Sequence, residues 1–207
     1  MNASSHDPST ASLRYADDIL AWEYDRRNHT FASGELEWYQ HYAALAEGPI
    51  LELACGSGRL LLRLAEAGYQ VDGVDNAPAM LRRLRSHLTA SQTTPENIDL
   101  HETDMAAFQY PKTYSLVFLG YNSVQYLATP ARVADCFQRA YDGLSTGGRF
   151  LLAIQCIDWN QYRQQARVET DLSKKPMVDE QSGLSVSSKS VGWRGHLAKA
   201  MNTKRPR

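Results

Sequence analysis

The chain has 207 residues, with 22 basic and 23 acidic side chains, 43% apolar and 22% charged residues, and a formal net charge of -1. This composition is that of a globular chain of about one domain, and the charge excludes a globally basic nucleic-acid binder. No run of about 18 apolar residues is present, so no transmembrane helix is expected, and the polar start at residues 1–12 lacks a signal-peptide core. The three cysteines, Cys55, Cys136 and Cys156, form no close pair. A disulfide framework or zinc site is therefore not expected, no metal is predicted, and a cytoplasmic location fits.

Residues 1–14 read as a disordered lead-in. Segment 35–46 places Leu36, Tyr39, Tyr42, Ala43 and Ala46 at helical spacing, and Gly48-Pro49 stops it. A short strand follows at 50–54, a helix at 59–67 ended by Gly68, and a second strand at 69–74. Pro78 opens a helix to about residue 88, with Met80, Leu81, Leu84 and Leu88 on one face. A polar loop leads to a weak strand at 98–103. The continuous apolar run 114–120 reads as a strand buried on both faces. Pro130 starts a helix to about residue 144, and Gly147-Gly148 turns the chain into a fifth strand at 149–155. Such alternation calls for a parallel sheet wrapped by helices through right-handed crossovers. Beyond residue 156 the pattern weakens. A short helix is expected at 158–168 and one exposed strand at 184–193. Residues 194–207 carry Arg194, Lys199, Lys204, Arg205 and Arg207 and no acid, and show no strand or helix signal.

The most informative segment is ILELACGSGRLLL, residues 50–62. A buried strand ends, Gly56 and Gly58 turn the backbone, and a helix begins. Such a loop at the carboxyl end of a strand is a cofactor cradle or an ordinary strand-to-helix turn. A dinucleotide fingerprint has a third glycine that is absent after Arg59, which disfavours an NAD-dependent oxidoreductase. Glu52 lies within the strand before the loop, and a carboxylate there suits a cationic group such as an amino-acid ammonium. Asp75 ends the second strand. It is placed to accept from two ribose hydroxyls, or to cap the Pro78 helix. Asp104 follows the third strand, as an acceptor for an adenine amino group beside Met105, or as a helix cap.

The pieces ELACGSGR (52–59), GVDNAPAML (73–81), ETDMAAF (102–108), VFLGYNSVQYL (117–127) and LSTGGRFLLAI (144–154) resemble the class I S-adenosylmethionine-dependent methyltransferases. Within them the chain is similar to the small-molecule, glycine N-methyltransferase-like group, with coverage from about residue 24 to 154. The resemblance implies an α/β, Rossmann-like parallel sheet of at least five strands with helices on both faces. It also implies a cofactor-binding core at 15–157 and S-adenosylmethionine as cofactor. Gly56 and Gly58 would then line its methionine and ribose, with Glu52 beneath the amino-acid end and Ala54 and Arg59 in the same matched segment. Asp75 would hold the ribose hydroxyls, with Asn76 and Met80 beside the nucleoside. Asp104 and Met105 would meet the adenine. Leu119 and segment 121–123 would close the pocket, and Tyr24-Asp25 would cover the cofactor. The implied reaction is methyl transfer to a small-molecule nitrogen or oxygen nucleophile. The alternative is a non-catalytic binder of the same cofactor. An oxygen nucleophile needs a base. Tyr126, His41 and His29 are candidates by position, and none is assigned as catalytic.

The family's closing antiparallel hairpin has no counterpart after the fifth strand. Residues 158–193 read as a partial lid or inserted strand, and 194–207 as a basic disordered tail. A truncated or frame-shifted C-terminus is therefore expected, leaving a sheet edge through which the chain is expected to associate. The expected partner is a small-molecule substrate, with no membrane; five positive charges without aromatics are a weak signal for nucleic acid.

Overall fold

The computed structural model describes residues 17–28, 30–91, 98–156, 177–178, 185–186 and 196–203. The chain divides into two compact units, Met1–Ile154 with Lys199–Arg207, and Gln155–Ala198.

The first unit opens with α1 (Asp18–Asn28) and α2 (Glu35–Ala44). The alternating part follows as β1 (Ile50–Leu53), α3 (Leu61–Glu66), β2 (Val71–Asp75), α4 (Pro78–Ser91), β3 (Leu100–Glu102), β4 (Tyr114–Leu119), α5 (Pro130–Gly143) and β5 (Leu144–Cys156). β1 is central and fully buried, and pairs in parallel with β2 (Leu53 beside Val74) and β4 (Leu53 beside Leu119). β2–β3 and β4–β5 are parallel as well, so the order through the five strands is β3–β2–β1–β4–β5. Right-handed crossovers then place α3 and α4 on one face and α5 on the other. Packing agrees. Leu51, Leu53, Val117 and Leu119 share a core cluster with Cys136 and Ala140 of α5. The alternate residues face the other side, where the Phe118 ring lies 5.0 Å from that of Tyr39 in α2. The strand order reverses beside β1, which is where open α/β sheets bind ligands.

The five expected strands are present, with differences at their ends. α3 begins only at Leu61, because Gly58 sits at φ 90° and holds the preceding residues in turns. β5 begins at Leu144 rather than 149, with a register shift between the pairs Tyr114–Leu144 and Leu116–Arg149 that absorbs the glycines. α1 was not expected. It buries only Ala21 and has no continuous apolar stripe. In the segment read as a basic disordered tail the structure has a strand, β8 (His196–Thr203), next to β5 in the sheet order. A sheet edge recruits a strand through backbone hydrogen bonds, which apolar patterning does not report.

The second unit contains a short antiparallel pair, β6 (Met177–Val178) and β7 (Ser185–Val186), with Met177 opposite Val186. β7 lies within the strand expected at 184–193. The helix expected at 158–168 lies outside the described residues. Among the described residues no helix is long and apolar enough to cross a membrane, and no group of metal-ligating side chains occurs.

Candidate cofactor site

The carboxyl ends of β1, β2 and β4 meet at the glycine loop. Its backbone is unusual at several points. Ala54 has φ 54°, Gly56 φ 56° and Gly58 φ 90°, and after β4 Tyr121 and Asn122 have φ 47° and 64°. Non-glycine residues in the left-handed region concentrate at functional sites, where the surrounding structure holds them. The loop is tied to β2 twice. The Cys55 N–H donates to the Val74 carbonyl (3.0 Å), and the Gly56 N–H donates to Asp75 Oδ2 (2.8 Å). Asp75 Oδ1 accepts from the Ala77 N–H (2.8 Å), so the capping contact expected of Asp75 is present as well. The Asn76 N–H supports the carboxylate as well, and these three donors leave it lone-pair capacity for one more. Burial pushes the Asp75 carboxyl above its ordinary value, against the hydrogen bonds it accepts.

Glu52 projects from β1 toward the α2 and α3 side and is 5% exposed. The Leu61 backbone N–H supports its carboxylate, while Oε2 has no partner among the described residues. Burial holds its carboxyl well above the ordinary carboxylate range, with Arg59 pulling the other way. Gly56 faces open space, since a Cβ built there meets nothing within 4 Å. A buried orphan acceptor beside an open glycine backbone fits a ligand with a cationic donor at that end.

Arg59, expected within the cofactor segment, is engaged by protein groups. Its guanidinium grips both carboxylate oxygens of Glu35, at the start of α2, with side-chain exposures of only 8% and 2%. It lies over the Phe31 ring (4.7 Å) and the Tyr121 ring (4.6 Å), and reaches the Thr30 carbonyl (3.5 Å). Glu35 also accepts from the Ala32 N–H (3.0 Å). Arg59 therefore fastens the N-terminal elements to the loop, and its charge is matched by Glu35.

The Tyr24-Asp25 element lies on α4. Tyr24 packs against Ala21, Ala77, Ala79 and Met80. Asp25 accepts from Arg83, and His87 Nε2 is 3.5 Å from the same oxygen. His87 Nδ1 is 3.2 Å from the Ser57 carbonyl, which can only accept, so α1, α4 and the glycine loop form one chain of polar contacts. Tyr121 adds a second tie, donating to Asn28 Oδ1 (2.8 Å), while Asn28 donates to the Tyr24 carbonyl (2.9 Å).

The remaining expected residues are spread along the same edge. Met80, Met105 and Leu119 are buried core residues, Asn76 is exposed, and Ala54 packs on the main cluster. Asp104 accepts from the Ala106 N–H (2.7 Å) and pairs with Arg132 of α5, so the capping geometry is present there as well. Of the base candidates, His41 is exposed with its ring 5.1 Å from that of Tyr42, Tyr126 is exposed, and His29 lies outside the described residues. Sequence reasoning missed Glu35, Tyr39 and His87. Glu35 meets Arg59 across 24 positions and His87 meets Ser57 across 30, and no local pattern announces such a pairing.

Residues 50–148 match the family model described as "Methyltransferase domain". The chain is 31% identical over 105 residues to a putative methyltransferase, GWCH70_2453, of Geobacillus sp. (strain WCH70), covering 51% of this chain and 41% of that one. It is 35% identical over 109 residues to the carboxy-S-adenosyl-L-methionine synthase of Sodalis glossinidius (strain morsitans), covering 50% and 42%. The solved CcbJ methyltransferase from Streptomyces caelestis superimposes with a TM-score of 0.61 at 27% identity, covering 80% of this chain and 62% of that one. The chain spans less than half the length of these two curated relatives. Sheet order, glycine loop and family match together give residues 50–148 the fold of a class I S-adenosylmethionine-dependent methyltransferase domain. S-adenosylmethionine is the cofactor of that class, and the unmet oxygen of Glu52 and the open space at Gly56 leave an acceptor and a backbone approach for such a group.

Proposed function

We propose that this chain transfers the methyl group of S-adenosylmethionine to a nitrogen or oxygen nucleophile of a small molecule in the cytoplasm. The observation that carries the cofactor half is the joined constellation at one sheet edge. Gly56 is bonded to Asp75, and the orphan oxygen of Glu52 lies on the strand just before them. Asp75 takes the ribose, with Asn76 and Met80 beside the nucleoside and Asp104 and Met105 at the adenine end. Tyr24, Ala54, Gly58 and Leu119 complete the enclosure, and Arg59 holds it closed through Glu35.

A sulfonium methyl is already activated, and the bound cofactor supplies that chemistry. The protein's task is in-line positioning and exclusion of water. A neutral amine needs no base, whereas a hydroxyl needs one within hydrogen-bond reach. The free, buried thiols Cys55 and Cys136 accord with a reducing compartment. Calorimetric titration with S-adenosylhomocysteine, followed by turnover on a panel of amines, phenols and carboxylic acids, tests the proposal. Binding with methylation of a panel member is the expected result. Failure to bind S-adenosylhomocysteine overturns the cofactor reading, and binding without turnover on any acceptor favours a non-catalytic binder.

A further inference from the structure

We propose that Glu52 carries a proton in the ligand-free chain and releases it to solvent when the ammonium of the cofactor's amino-acid end arrives beside it. The inference rests on the cofactor reading above. The step balances without a co-reactant. A carboxylic acid and an ammonium ion become a carboxylate–ammonium pair, and one proton passes to water.

The surroundings of Glu52 carry the inference. It is 5% exposed on the central strand, between Gly73 of β2 and Phe118 of β4. One side of its carboxyl group is served by the Leu61 N–H, and Oε2 meets no donor among the described residues. The charged and titratable groups facing it are Arg59 before α3, Asp75 of β2, Glu35 and Tyr39 of α2, and the buried thiol of Cys55 in the loop, which burial and the neighbouring acids keep protonated. Arg59 is the cation of this set, and it is engaged at both ends by Glu35. Asp75 and Glu35 both oppose a further negative charge. The Tyr39 hydroxyl is buried without a hydrogen-bond partner and makes no bond to Glu52. A buried carboxylate with an unmet oxygen and two like charges nearby favours its neutral form. An ammonium reverses the balance, bringing a positive charge and N–H donors to the oxygen that has none.

Asp75 is also held above its ordinary value by burial, and the ribose would meet it. The test must therefore separate the two acids. S-adenosylhomocysteine is titrated into the full chain by calorimetry in phosphate and in Tris, from about pH 5.5 to about pH 8, and the buffer difference counts protons. Release approaching one proton is expected in the acidic part of the range, with Kd falling up to about tenfold per pH unit there. 5′-Methylthioadenosine, the same nucleoside without the amino-acid end, is expected to bind with no release and with less than about twofold change in Kd. Glu52→Gln is expected to abolish the release.

No release by the wild type at any pH overturns the proposal. So does equal release with 5′-methylthioadenosine, which assigns the proton to Asp75, or release retained in Glu52→Gln. Should that variant fail to fold, the two-ligand comparison on the wild-type chain decides alone. If S-adenosylhomocysteine does not bind at all, the cofactor reading falls and this proposal with it, an outcome distinct from binding without release.

Discussion

Gly56 and Gly58 share the left-handed backbone, yet the structure requires glycine for different reasons at each. At Gly58 a Cβ would lie 2.3 Å from Leu84 Cδ1 and 3.0 Å from Leu62 Cγ, on top of a φ of 90°. Gly58→Ala is expected to cost about 2–4 kcal/mol, combining left-handed strain with overpacking. At Gly56 a Cβ meets nothing within 4 Å, so Gly56→Ala carries the backbone strain of about 1–2 kcal/mol alone. Its methyl group projects into open space at the loop, so S-adenosylhomocysteine affinity is expected to fall further than stability. Urea denaturation of both variants, paired with calorimetry, checks the ordering. The sequence marked both glycines, but their division of labour depends on Leu84, which belongs to the next helix. Segment 121–123 was marked as closing the pocket, but the positive φ of Tyr121 is one that no residue-type preference would place there.

Among the elements, α2 is held to the glycine loop by one buried ion pair. Removing one partner leaves the other charge buried, so Arg59→Ala is expected to destabilise the chain by about 3–5 kcal/mol. Replacing both, as in Arg59→Met with Glu35→Leu, is expected to restore most of that loss. A double-mutant cycle by chemical denaturation measures the coupling, and additive losses would remove Arg59 from its fastening role. The alternation of β1 through β5 was legible because apolar runs are punctuated by Gly68, Pro78, Pro130 and Gly147-Gly148. Arg59 was legible as important but not for what it touches, since Glu35 is 24 positions earlier. α1 was illegible because its apolar contact is confined to Ala21 and Tyr24 and makes no continuous stripe, and β8 because a strand completing an edge needs no apolar alternation.

For the molecule as a whole, the buried acids set the pH response of the ligand-free protein. Burial raises the folded-state value of Asp75 above its ordinary one and that of Glu52 well above it. The folded state then binds more protons than the unfolded chain between the two values. The stability they contribute is present below the unfolded value and is lost as pH rises through the raised one. The thermal midpoint of the ligand-free chain is therefore expected to fall over that window, and Glu52→Gln to flatten the fall. Scanning calorimetry across pH checks the sign, and a midpoint that rises through the window would contradict it. The cofactor half of the chain was readable as a whole because five motifs recur in order. The acceptor was not, because no motif in the chain carries a residue pattern specific to one acceptor chemistry.

The ion pairs that supplement the small apolar contact of α1 have a consequence in ionic strength. Asp18 pairs with Arg82 at 2.7 Å with both side chains more than half exposed, and Asp25 pairs with Arg83 in a half-buried setting. Only Ala21 of this helix is fully buried. Screening shortens from about 10 Å at 0.1 M salt to about 3 Å at 1 M, which weakens exposed pairs while leaving the apolar sheet core unaffected. Concentrated sodium chloride should therefore loosen α1 first, seen as faster amide exchange over 18–28 while β1 and β4 stay protected. A chain of this design would shed its first helix's hold on α4 in brine while its sheet stays folded.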